Sequence, residues 1–307
     1  MTKVLVATVK PFAPAAVKGI REVVEGAGYE MALLEKYENQ QEFIDAASDA
    51  DAIIIRSDKA DAEVIGKAGK LKIIVRAGAG YDNVDLAAAT EKGVVVMNTP
   101  GQNSNAVAEL ALGMMVYMAR NGFNGTAGKE LKGKKLGIHA YGHVGRLVAG
   151  IARGFGMECF AFDPFISKED IEKDGVRAVG SAEELYSTCQ YVSLHIPANE
   201  QTKASINADL MMAMPEGATL VNTARKEVVC EESLKKVLAR REDFVYISDI
   251  APDCAAEIAE NFEGRYFFTP KKMGAQTAEA NINAGIAAAR QIKAFLEDGD
   301  TTFQVNK

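Results

Sequence analysis

Most of the chemistry available to this 307-residue chain lies in one glycine turn and a few charges at the ends of apolar bursts. Residues 136–140 form such a burst, which runs through Tyr141, Gly142, His143, Val144 and Gly145 into an amphipathic stretch. A strand, a glycine turn and a helix in that order aim backbone N–H groups at the oxygens of a pyrophosphate. The GxGxxG pattern is degenerate: Ala140 stands at the first glycine position and must make a tight turn that glycine makes without steric cost. Asp163 closes the next burst, 21 residues after Gly142. There a carboxylate accepts hydrogen bonds from ribose hydroxyls and repels a 2′-phosphate, so turn and aspartate together point to NAD rather than NADP. Alone, Asp163 followed by Pro164 would read as a strand ending in a turn.

Arg225 stands four residues after the burst at 219–221 and should emerge at a strand's carboxyl end, where α/β sheets bind ligands. Its guanidinium fork can grip a carboxylate at two points. Arg56 and Arg76 end successive bursts nearer the N-terminus and are expected to converge. Two arginines together suit a phosphate, so the pattern fits an acid carrying a carboxylate at one end and a phosphate at the other. The alternative is that the pair are surface charges unrelated to a ligand.

Parallel α/β elements would position these groups. Apolar bursts at 4–9, 53–55, 73–75 and 94–97 alternate with helical patterns such as 15–27 and 61–69. After a helical stretch at 105–120, a second series of bursts follows at 136–140, 159–163, 191–196, 219–222 and 245–250. The expected architecture is α/β, with two Rossmann-like parallel-sheet domains, one flavodoxin-like and one dinucleotide-binding, and a cleft between them. The last helix, about 277–296, is expected to return to the first domain, and Gly285 in its middle suggests close packing against another backbone.

A net charge of -7 argues against nucleic acid or an anionic membrane as partner, since either needs clustered Lys and Arg. No apolar run approaches the roughly 18 residues that span a bilayer, and the N-terminus lacks a signal-peptide pattern, so a cytoplasmic location is expected. Cys159, Cys189, Cys230 and Cys254 stand singly, suggesting neither a disulfide framework nor a zinc site.

The segments RAGAGYDNVD (76–85), NAVAELALG (105–113), AYGHVGR (140–146), VSLHIP (192–197) and VNTAR (221–225) resemble the D-isomer-specific 2-hydroxyacid dehydrogenase family nearly end to end. The resemblance implies a discontinuous substrate-binding domain, 1–101 plus 279–307, and an NAD-binding domain, 102–278. It implies hydride transfer between NAD and a small D-2-hydroxy acid, with 3-phosphoglycerate foremost. Glyoxylate, hydroxypyruvate and D-lactate are alternative substrates, and a non-catalytic NAD-sensing protein is an alternative role. With the chain ending soon after its last helix, no appended regulatory domain is expected. Arg225 matches the family's substrate-binding arginine. Asp249 matches the aspartate that accepts a hydrogen bond from the nicotinamide carboxamide. His195, Ile196, Pro197, Thr223, Ala224 and Gly274 fall on the cofactor side. Ser57, Gly78 and Asn103 join Arg56 and Arg76 as substrate contacts. The family also implies a homodimer through the NAD-binding domains, for which helix 105–119 with Met114, Met115 and Met118 is the candidate contact, burial within the chain being the alternative.

Two departures stand out. Where the family carries its proton on the histidine of a TPHxG motif, this chain reads TPKKMGAQT, and the glutamate that assists that histidine is replaced by Cys254. None of His139, His143 and His195 falls at the acid/base position. A lysine can take over the role if a neighbouring cation such as Arg225 and partial desolvation disfavour its ammonium form. Absence of the glutamate fits, because a carboxylate would hold the lysine protonated. Counting back from GAQT favours Lys272; counting forward from Thr269 and Pro270 gives Lys271. The other possibility is two solvated loop lysines and no catalysis.

Overall fold

The computed structural model describes residues 1–306, which divide into two compact units: Met1–Asn103 together with the chain from Gln276 onward, and Ser104–Ala275. In the first unit the order is β1 (Lys3–Thr8), α1 (Pro14–Gly26), β2 (Glu30–Glu35), α2 (Gln40–Ala47), β3 (Ala52–Ile55), α3 (Ala62–Lys67), β4 (Ile73–Arg76), α4 (Leu86–Glu91) and β5 (Val95–Asn98). The second unit holds α5 (Ser104–Ala119), β6 (Lys135–His139), α6 (His143–Gly154), β7 (Glu158–Phe162), α7 (Lys168–Glu172), β8 (Arg177–Ala178) and α8 (Ala182–Thr188). It continues through β9 (Tyr191–Leu194), α9 (Ala208–Ala213), β10 (Thr219–Asn222), α10 (Glu231–Arg240), β11 (Val245–Ser248), α11 (Ala255–Asn261) and β12 (Tyr266–Phe268). The last helix, α12 (Ala278–Asp298), belongs to the first unit.

The first unit's five strands run in the order β2-β1-β3-β4-β5, all parallel, which is the flavodoxin-like winding. Ile53, Ile54 and Ile55 are fully buried, as a strand covered by helices on both faces requires. Helices α1 and α12 cover one face, with Ile20, Val24, Ala284, Ala288 and Ile292 packed on Val4, Val6, Ile54 and Val75. Gly285 meets side chains here, not the expected second backbone: a Cβ on it would lie 2.9 Å from Ile20 Cδ1 and 3.1 Å from Phe12 Cε1. The relation is reciprocal, since a Cβ on Gly19 would lie 2.5 Å from Ile286 Cδ1. Each glycine is therefore a socket for an isoleucine of the other helix.

In the second unit seven parallel strands run β12-β11-β10-β9-β6-β7-β8. Strand order reverses at β6, with β9 on one side and β7 on the other, which creates a crevice at the strands' carboxyl ends. Met114 and Met115 of α5, candidates for a contact between copies, are 3% and 0% exposed, buried against Leu136, Tyr141 and Val148 of their own unit. An apolar helix stripe facing its own sheet was the stronger demand on those side chains. All four cysteines are free thiols. Among the described residues no helix is long and apolar enough to cross a membrane.

Candidate active site

Each candidate of the second unit stands at or just beyond the carboxyl end of a strand in the seven-stranded sheet. The glycine turn follows β6, Asp163 follows β7, His195 follows β9, Arg225 stands three residues past β10, Asp249 follows β11 and the lysine segment follows β12. Parallel strands thus bring residues over 130 positions apart in sequence to one edge.

At the turn, Ala140 adopts φ 78°, the left-handed backbone its place in the motif demands. Helix α6 begins at Gly142, which has no side-chain cap, so the N–H groups of its first turn point outward without an intrahelical acceptor. A Cβ on Gly142 would meet nothing within 4 Å, whereas one on Gly145 would come within 2.4 Å of Ala140 O. One glycine thus leaves room for a phosphate and the other lets helix and strand touch. The Asp163 carboxylate sits beneath: Oδ2 accepts from Tyr141 N at 2.7 Å and Oδ1 from Phe165 N at 2.9 Å. Two lone pairs per oxygen leave further acceptor capacity for ribose hydroxyls. These features fit a dinucleotide. Tyr141 is the exception among the turn residues, because its ring is fully buried with its hydroxyl 3.1 Å from Asp174 Oδ2, and its N–H belongs to Asp163. It shapes the turn from below and presents neither group to a ligand. His143 and Val144 are exposed and half-buried respectively.

Beside the turn, His195 Nδ1 lies 3.5 Å from Thr223 Oγ1, and Nε2 is buried without a protein partner. Burial pushes its imidazole down to about 3, with His139 nearby adding to the effect, so the ring is neutral around pH 7. A neutral ring offers one donor and one acceptor. Ile196 is buried, and Pro197 is exposed, its carbonyl accepting from Thr202 Oγ1 at 2.5 Å.

Two cations converge at the end of β10. Arg225 Nη1 donates to Ala224 O at 3.0 Å, and Lys272 Nζ lies 3.5 Å from the same oxygen. The turn that presents them is clamped by Asn222, whose Nδ2 donates to Arg225 O at 2.9 Å while its Oδ1 accepts from Ala224 N at 3.0 Å. Asn222 was not singled out from the sequence, although a polar residue closing the burst TLVN, buried to 2% exposure, was its signal. Of the two lysines it is Lys272 that reaches Arg225's carbonyl neighbour. Both lysine side chains are exposed, so the desolvation expected around them is not supplied by this unit. Asp249 is fully buried, its oxygens accepting from Met273 N at 2.7 Å and Gly274 N at 2.8 Å. At the family's glutamate position, Cys254 N donates to Glu231 Oε2 at 2.9 Å, and burial together with that carboxylate raises the Cys254 thiol to about 12.

The candidates of the first unit are arranged differently. Arg56 Nη1 donates to Lys10 O at 3.0 Å and Pro11 O at 3.2 Å, Nη2 donates to Asn281 Oδ1 at 2.5 Å, and the guanidinium lies 5.1 Å from the Phe12 ring centroid. Arg76 instead packs across Gly78, its Nη1 3.4 Å from Ala77 O. The expected convergence of the two arginines is therefore not what these contacts show: Arg56 is drawn toward the loop after β1, on the far side of β3 from β4. Three acceptors on that side hold the Arg56 guanidinium there. Ser57 is exposed and Asn103 half-buried.

A model of the D-isomer specific 2-hydroxyacid dehydrogenase, catalytic domain, matches residues 4–306. A D-3-phosphoglycerate dehydrogenase of Methanocaldococcus jannaschii is 36% identical over 276 residues, 84% of this chain and 52% of its own length. A hydroxypyruvate reductase of Thermotoga maritima is 33% identical over 283 residues, 86% of this chain and 90% of its own length. The chain spans about half the length of most of the curated relatives it matches. Among solved structures, the NAD+-bound 3-phosphoglycerate dehydrogenase of Entamoeba histolytica is 49% identical, with a TM-score of 0.88, over 100% of this chain and 99% of that one.

Proposed function

The chain belongs to the D-isomer-specific 2-hydroxyacid dehydrogenase family, and on that premise we propose that it oxidises D-3-phosphoglycerate with NAD, using Lys272 as the proton carrier. The observation that carries this reading is the meeting of Arg225 and Lys272 at one carbonyl oxygen, at the edge that also holds the glycine turn. The glycine turn and Asp163 would hold NAD, which when bound would supply the acceptor for the hydride of the hydroxyl-bearing carbon. Arg225 holds the substrate carboxylate and so orients that carbon. Lys272 takes the hydroxyl proton as the carbonyl forms, its amine becoming ammonium. Arg56, expected from the sequence to bind a phosphate, keeps two of its five N–H groups after its three hydrogen bonds, and Ser57 beside it is exposed. The D-3-phosphoglycerate dehydrogenases among its relatives support the same substrate. Pairing of two copies and residence in the cytoplasm complete the proposal; sedimentation at twice 32.9 kDa is the expected sign of the former.

A second reading, hydroxypyruvate reduction, is favoured by a relative of that name matched over 90% of its own length. Absorbance at 340 nm with NAD and 3-phosphoglycerate, D-glycerate or D-lactate separates the two. Turnover with the phosphorylated acid, competed by inorganic phosphate, is expected; turnover only with unphosphorylated acids selects the second reading. Lys272→Ala should lower kcat by about 10²–10⁴-fold and Lys271→Ala by less than about 3-fold. Wild-type turnover in both variants removes the lysine from the mechanism.

A further inference from the structure

Ala140 stands where the dinucleotide turn has its first glycine. Its φ of 78° is one that glycine adopts freely and that an L-residue resists by about 5- to 30-fold. Such a backbone persists only where its surroundings over-determine it. In this chain the next residue does so, because Tyr141 is held at both ends. Its N–H donates to Asp163 Oδ2 at 2.7 Å, and across a fully buried ring its hydroxyl donates to Asp174 Oδ2 at 3.1 Å. Burial, together with the Asp174 carboxylate, raises the hydroxyl above the ordinary tyrosine value, so it stays protonated and remains a donor.

The far side of the turn is tied to the same atom. Arg146, in the first turn of α6, donates through Nη1 to Asp174 Oδ2 at 2.6 Å, and its guanidinium lies 4.7 Å from the Tyr141 ring centroid. Two donors match the two lone pairs of that oxygen. Asp174 lies just past α7, outside the strand, turn and helix that it joins, and its own carbonyl accepts from Arg153 Nη1 at 2.5 Å. One carboxylate therefore brackets residues 141–146, and within the bracket lie Gly142, with open space beside it, and Gly145, pressed on Ala140 O. Rotation of Ala140 toward negative φ would swing Tyr141 N off Asp163 and its hydroxyl off Asp174. Phosphate donors and ribose acceptor would be displaced together.

We propose that Tyr141, Arg146 and Asp174 are positioning residues that stand in for the missing first glycine, holding the strained Ala140 turn in the shape that takes the pyrophosphate of NAD. A turn with glycine at 140 would not need them, and this supplies the test: NADH affinity by fluorescence titration in Tyr141→Phe and Asp174→Ala, each with and without Ala140→Gly. Tyr141→Phe should weaken binding by about 5-fold, and Asp174→Ala, which releases Arg146 as well, by about 10-fold. Adding Ala140→Gly should restore either variant to within about 3-fold of the wild type. Should Asp174→Ala yield little folded protein, Tyr141→Phe, which keeps the buried ring, carries the test with its own Ala140→Gly partner. Losses that persist in the double variants would mean a general loosening of the unit. Wild-type affinity in both single variants would mean a turn that holds itself. Either result overturns the proposal. The inference rests on NAD as cofactor and not on the substrate, so NADH binding without turnover of any acid would remove the proposed reaction and leave these affinity ratios to decide the role of the bracket.

Discussion

The carboxyl ends of the two sheets use polar groups in opposite ways. In the first unit the charged groups are satisfied by the fold: Arg56 donates to two carbonyls and Asn281, while buried Asp58 accepts from Val9 N and Tyr37 Oη. In the second unit the buried polar side chains, Asn222, Asp249 and Thr269, hold backbone, and the cations Arg225 and Lys272 stand in front of them. A strand-end arginine carries the same topological signal in both units. What separates an arginine largely engaged by the fold from one left mostly to a ligand is the supply of acceptors on neighbouring elements, which the strand's own sequence does not encode.

Exchanging the effects of two arginine substitutions is the strongest way to break this contrast. Arg225→Ala should lower kcat/KM by about 10³-fold with little change in urea midpoint, since it gives up one bond to an adjacent carbonyl. Arg56→Ala should cost about 2 kcal/mol of stability, three hydrogen bonds being lost, with a smaller effect on turnover. The reverse assignment in denaturant titrations and kinetics would make the first unit the better-exposed ligand site.

Gly145→Ala probes the second unit's turn. The added methyl must displace Ala140 O from 2.4 Å, which should destabilise the protein by about 1–3 kcal/mol and weaken NADH binding in fluorescence titration. Unchanged affinity would separate the turn from the cofactor.

The smallest expected effect sharpens the contrast by pH. Burial holds His139 near 4 and His195 near 3, both well below the ordinary value of about 6.5. Between those limits the unfolded chain binds more protons than the folded one. Stability is therefore full above about pH 6.5 and falls as pH drops, by about 1 kcal/mol per unit for each histidine that titrates. Both lie in the second unit, so hydrogen exchange at pH 5 should accelerate there before the first unit, and His139→Phe should flatten the dependence. Equal acceleration in both units would place the acid sensitivity elsewhere.

The central strands were legible as apolar bursts because parallel strands buried on both faces are apolar throughout. The strands that gave no burst, β2, β8 and β12, are all edge strands. Glu30–Glu35 carries only the short apolar run Met31 to Leu34 between two glutamates, and of these residues Met31 alone is buried. The other edge, β5, was legible, and residue 305 bonds along it, Val305 N donating to Val96 O at 2.9 Å. Within the site, groups set by local order were readable: the glycine turn, Asp163, and Arg225 at its strand end. Arg56's attachment to Asn281, 225 positions away, was not, nor was the choice between Lys271 and Lys272, which depends on Ala224 lying across the sheet edge.

The isoleucine sockets between α1 and α12 set an order of events during synthesis. Ala284, Ala288 and Ile292 complete the core of the unit that begins at the N-terminus, so that core lacks one wall until the chain's final helix has left the ribosome. The second unit is continuous in sequence and can close first. At about 5–20 residues per second, the earliest-made strand waits roughly 15–60 s for its last partner. The unit whose strands are made first is thus the last to finish folding, and Gly19 and Gly285 mark where its two segments are joined.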